Sequence, residues 1–172
     1  MSRGDYWTTP TPTRAGVLLA LRDETDQLLL VRKQYLIDEG AEHTWGLVGG
    51  SMIEAAHDRR EAAQARAVER IGISVKLGRM VLIDEVPAGR YARGFNFLYD
   101  VPSRLSRDAP IKLGDGLVDY RFVPRADFDK YMNPHGVRRA HAALDAIILG
   151  HTLDLYKGYR ADDLPRNAEE SA

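Results

Sequence analysis

Apolar and polar positions alternate with changing period along this chain, and the changes mark its elements. Ala15–Leu21 (AGVLLAL) and Gln27–Arg32 (QLLLVR) are short, nearly continuous apolar runs. That length and content predict strands buried on both faces. The polar tetrad Asp23–Asp26 between them is hairpin-like in length. Lys33–Thr44 reads as a long polar loop, and Trp45–Val48 as a short apolar piece before two glycines. Over Asp58–Ile71 the pattern becomes helical: Ala, Arg and Glu dominate, Gly and Pro are missing, and Gly72 follows as a stop. Asp58 suits an N-cap, with Glu61 three residues on as in a capping box. Lys76–Val86, Phe95–Val101 and Asp119–Val123 predict further strands, with loops at Gly89–Gly94 and Arg104–Asp108. Asn133-Pro134 opens a last helix, in which Val137, Ala140, Leu144, Ile147 and Ile148 follow helical spacing. Strands outnumber helices, and the helices fall at two separate points. The expected architecture is therefore α/β (α+β): a mixed, mostly antiparallel sheet between helices.

Composition narrows the class. The chain has 172 residues, enough for one domain with a sizeable core. Residues 1–13, rich in Thr and Pro, read as an extended arm, 14–158 as the domain, and 159–172 as a polar tail. Net charge is −1, and no run of Lys and Arg appears, so no nucleic-acid partner is expected. No apolar run approaches the ~20 residues of a membrane span, so no membrane partner is expected. There is no Cys, which excludes disulfides and thiol nucleophiles. A cytoplasmic location is the expectation.

Candidate chemistry lies between Trp45 and Ile73, in WGLVGGSMIEAAHDRREAAQARAVERIGI. This stretch resembles the box of the Nudix hydrolases. WGLVGG is similar to that family's Trp-x-Leu-Pro-Gly-Gly entry, with Val48 at the Pro position. EAAQARAVERIGI is similar to its helix, closing at the expected pair Gly72-Ile73. Downstream, GLVDYRFVPRADFDKY is similar to its closing strand and loop. The resemblance covers roughly residues 14–150 and implies a Nudix-type α/β/α sandwich. It also implies hydrolysis of a phosphorylated or nucleotide-like small molecule, with Mg²⁺ or Mn²⁺ held by glutamates on one helix face. A homodimer is a further expectation of the resemblance.

The carboxylates are where the match fails. Aligned back from Gly72, the three metal-facing positions are Arg66, Glu69 and Arg70, so their formal charge is +1 where the family has −3. Gly50 to Gly72 is also one residue longer than the family spacing, which puts His57 where the loop glutamate stands, with Glu54 nearby. A unit pair at 4 Å is worth about 4 kcal/mol at an effective dielectric of 20, and a divalent ion doubles that. Repulsion at two of three positions therefore predicts that the ordinary two-metal site is absent.

Three functional readings follow. The first is a Nudix-type hydrolase with rebuilt ligands. There, His57, Glu69 and Glu54 are the catalytic candidates, and Glu69 and Glu54 the metal candidates. Asp58, Glu61, Asp84, Glu85, Asp115 or Asp119 could reach in. The second is a repurposed, metal-independent enzyme of small-molecule biosynthesis, with Arg66 and Arg70 as counter-charges for an anion. The third is an inactive ligand-binding protein. In each the partner is a small, anionic molecule, with Gly49, Gly50 and Trp45 completing the binding set. The bland alternatives are solvated helix charges for Arg59, Arg60, Arg66 and Arg70, an inert strand-end for Asp84-Glu85, and packing for Trp45, Tyr120 and Phe122.

Overall fold

A computed structural model describes residues 13–52 and 56–164. The arm through residue 12, the tail from residue 165, and Glu54 lie outside them. The strands are β1 (Arg14–Ala20), β2 (Leu28–Lys33), β3 (Trp45–Ser51), β4 (Met80–Val86), β5 (Gly94–Asp100), β6 (Leu117–Val123), β7 (Leu153–Tyr156) and β8 (Tyr159–Arg160). Helices are α1 (Gln34–Asp38), α2 (Arg59–Ile71) and α3 (Pro134–Leu149). One sheet runs in the order β6-β2-β3-β1-β5-β4-β7-β8. Only β1–β5 and β4–β7 pair in parallel, so the sheet is mixed and mostly antiparallel, as expected.

The continuous apolar runs are explained by burial on both faces. In β1, Val17 and Leu19 pack under α2, while Leu18 and Ala20 pack under α3. In β2, Leu29 and Val31 alternate with Leu28 and Leu30 in the same way. Helix α2 approaches the sheet through small residues: Ala62, Ala63 and Ala67 are buried, with Ile71. Its ends are set by the predicted signals. The Asp58 carboxylate accepts from the amides of Arg60 and Glu61, and Gly72 takes the left-handed conformation at φ 69°. In α3 the Asn133 side chain caps Gly136, 2.7 Å away.

Several expectations need correction. Asp23–Asp26 is a turn, closed by a bond from the Asp23 amide to the Gln27 carbonyl, but β1 and β2 then part and β3 lies between them. The polar loop contains α1, a five-residue helix with no side-chain cap, too short to leave a periodic signal. The strand predicted from Lys76 begins at Met80, although Gly78 and Arg79 still bond Asp100 at the end of β5. Ile148 is not on the buried face of α3 and is 77% exposed. The sheet also runs past residue 158, since Tyr159 pairs with Tyr156 and Arg160 with Leu155. Tyr120 and Phe122 do pack on one face, against the core under α2. No helix among the described residues is long and apolar enough to cross a membrane.

The close approach of α2 is a packing constraint that can be tested. Ala63→Leu should destabilise the fold by about 1–3 kcal/mol in urea unfolding, through overpacking. Val68→Leu, on the exposed side of the same helix, should stay within about 0.5 kcal/mol.

Candidate functional site

The cationic side chains of α2 all make polar contacts, with Arg66 and Arg70 partly buried and Arg59 and Arg60 exposed. Arg66 lies across β3: its Nε donates to the Ser51 carbonyl at 2.9 Å, and its guanidinium pairs with Glu69. The fit depends on glycine, because a methyl at Gly50 would stand 3.2 Å from Arg66 Nε. Arg70 donates to the Asp115 carbonyl at 2.8 Å and lies 3.6 Å from the other Glu69 oxygen. Glu69 is thus shared by two guanidinium groups. The remaining pair also acts as tethers. Arg60 donates to the carbonyls of Leu77 and Gly78, and Arg59 donates to the Tyr99 hydroxyl and lies over Phe97.

This donor set does not fit a pair of Mg²⁺ or Mn²⁺ ions. Hard divalent cations need several oxygen ligands carrying net negative charge. Here the single carboxylate on the relevant face is already neutralised, and two guanidinium groups adjoin it. Among the described residues no three acidic or histidine side chains converge. The other candidates are dispersed. His57 is exposed, and only its backbone amide is used, donating to Glu61 at 2.7 Å. Asp119 bonds the Tyr120 amide, Asp115 offers its carbonyl to Arg70, and Glu85 lies 3.9 Å from Arg93. Gly49 and Gly50 do not directly precede the helix. They lie inside β3, opposite Leu18 and Val17, and at Gly49 (φ 145°) a side chain would collide with the Val17 carbonyl.

The structure instead places a cavity of about 390 Å³ where β3 changes partner, from β2 over Trp45–Leu47 to β1 over Val48–Ser51. Gly16, Gly46, Gly50 and Gly94 are part of its lining. Trp45, Tyr35, Tyr91 and Phe95 supply aromatic surface, and the start of α3 closes one side. Its basic lining is Arg14, Lys33, His135 and Arg139, and among the described residues no carboxylate lines it. Of the sequence candidates, Trp45 and Gly50 line it. Arg66, Arg70, Glu69 and His57 do not.

Two of these side chains, His135 and Arg139, are fixed by one buried acid. Asp84, expected to be an inert exposed strand-end, is fully buried. Its carboxylate accepts from Arg139 Nε at 2.6 Å and from the Gly158 amide at 2.8 Å, and lies 2.9 Å from His135 Nε2. Burial pushes the Asp84 carboxyl up, but the His135 bond, the Arg139 charge and the Gly158 amide together hold it below the usual aspartate range. The strand pattern could not reveal this, because the partners come from α3 and from the turn before β8.

Lys33 is different. It lines the cavity, yet among the described residues no acceptor lies within hydrogen-bonding distance of its ammonium. Desolvation, then the charges of Arg139 and Arg70, bring its pKa down to about 8. Reading the sequence by motif missed it, since Lys33 stands only as the first letter of a polar loop.

The two groups have opposite expected effects on stability. Between pH 8 and 10.5 the unfolded chain binds more protons at Lys33 than the folded one, so stability should rise with pH through that window. Lys33→Met should therefore stabilise the protein at pH 7, by about 1–3 kcal/mol in urea unfolding, and the gain should vanish near pH 10.5. A loss of stability at pH 7 would refute the unpaired cation. Asp84→Asn should cost about 3 kcal/mol or more, because it leaves Arg139 buried without its anion.

No family model matches the chain, and no curated protein matches it. Solved structures do. A MutT protein from Methanosarcina mazei Go1 superposes with a TM-score of 0.63 at 16% identity, covering 82% of this chain and 97% of that one. The Nudix domain of Shewanella oneidensis NrtR, complexed with ADP ribose, gives 0.61 at 16%, covering 86% and 99%. An ADP-ribose pyrophosphatase from Streptococcus suis 89-1591 gives 0.57 at 15%, covering 84% and 99%. Element order, sheet topology and these superpositions agree: the chain has the Nudix fold.

Proposed function

We propose that this protein takes a small anionic, nucleotide-like molecule into the cavity bounded by β1, β2, β3, β5 and α3, and acts on it without the two-metal centre of the Nudix hydrolases. One observation carries this reading: the cavity is lined by Arg14, Lys33, His135 and Arg139 and, among the described residues, by no carboxylate. Arg139 is neutralised from behind by Asp84, which leaves Lys33 and Arg14 as the uncompensated charges. A phosphate or carboxylate would relieve their repulsion and supply the bonds Lys33 lacks. The aromatic lining suits a planar group, and ADP ribose in the Shewanella neighbour points the same way.

The chemistry open to such a site is acid–base and electrostatic. His135 sits at the start of α3, with Nε2 held against Asp84, and that pairing orients the ring. The cations stabilise negative charge on the bound molecule. A rebuilt metal-dependent hydrolase is the second reading. It would need acidic ligands beyond Glu69, and Glu54 is the one remaining candidate from the box.

Thermal melts in EDTA separate the two. Pyrophosphate or ADP should raise the melting temperature without metal, and Lys33→Met should remove the ligand-dependent part of that rise. Stabilisation that appears only with Mg²⁺ or Mn²⁺, and that disappears in Glu69→Gln, would overturn the metal-independent reading.

A further inference from the structure

Lys33 carries more than a counter-charge. An amine used only to hold an anion gains from staying protonated, and proteins usually keep it so with a neighbouring carboxylate. Among the described residues the charges that reach it are both cationic, Arg139 from α3 and Arg70 from α2. No hydrogen bond ties it down, and its nitrogen lies over Gly46, where even a methyl would approach to 3.1 Å. The cavity thus presents a free amine with room beside it, aromatic walls and a second cation, Arg14, at its edge. His135, oriented by Asp84, lines the same cavity as a proton carrier.

We infer that Lys33 is a nucleophile that forms an imine with a small aldehyde or ketone bearing a phosphate or carboxylate. The neutral amine adds to the carbonyl carbon, and the nitrogen's proton passes to the former carbonyl oxygen, giving a carbinolamine. Loss of one water, aided by proton transfer through His135, leaves the carbon–nitrogen double bond. No oxidant or reductant is consumed, and water reverses the step. A pKa near 8 raises the neutral fraction at pH 7 from well under a thousandth to roughly a tenth. The box supports this from a distance, because Arg70 stands where a glutamate would have favoured the charged amine.

This inference rests on the cavity being the ligand site proposed above, and the test keeps the two apart. Wild-type protein is incubated with pyridoxal 5′-phosphate, an anionic aldehyde, reduced with borohydride, and mapped by peptide mass. Lys33 should be modified at least about tenfold faster than Lys76, Lys112, Lys130 and Lys157 at pH 7. The rate should rise with a midpoint near pH 8, and pyrophosphate should slow it. Lys33→Arg should abolish that adduct, and Arg70→Gln should move the midpoint upward. Labelling of Lys33 no faster than the other lysines, while pyrophosphate still stabilises the protein, would overturn the imine and leave the anion cavity standing. Failure of both labelling and stabilisation would overturn both.

Discussion

Two guanidinium groups fill the face of α2 that the box resemblance reserves for carboxylates, and much of the site follows from them. Arg66 lies across Gly50 and bonds the Ser51 carbonyl, so the helix is locked to β3 by a cation. Arg70 bonds the Asp115 carbonyl and ties the helix to the segment before β6. Glu69 lies between them and balances part of their charge. Apart from Arg70 Nε, which is buried without a partner, the arrangement satisfies its own donors, which distinguishes it from a metal site missing its ion. A metal site stripped of its cation would present converging, mutually repelling oxygens. This face presents donors already aimed at carbonyls.

The consequence reaches the cavity through the field rather than through contact. Arg70 and Arg139 approach Lys33 from different helices, and with desolvation they make its charged form costly. Asp84 is close enough to fix Arg139 and His135 but is spent on them, so it does not relieve Lys33. The protein therefore maintains an uncompensated cation in a cleft, which lowers its own stability.

The same backbone can host this change because the Nudix fold separates framework from chemistry. The double-sided burial of β1 and β2, the alanine face of α2 and the capping residues specify the sandwich without reference to the metal positions. Replacing carboxylates by arginines on a helix face at the sheet's rim leaves that framework intact. It alters what the site can hold.

The letters alone determined the framework. Runs of four or five buried aliphatic residues, an Asp58 cap, a Gly72 stop and an Asn133-Pro134 start are local signals, and each acts on its own element. That Arg66 and Arg70 stand where the box resemblance puts glutamates was equally legible, since it needs only an alignment to the glycine. Folding decided which charges meet. Lys33 ends β2, Arg139 sits on α3 over a hundred residues later, and Asp84 is met by α3 and by the turn before β8. Sequence spacing carries no information about such distant neighbours. Desolvation and Coulomb repulsion depend on three-dimensional proximity, so the unpaired amine emerged only from the tertiary structure.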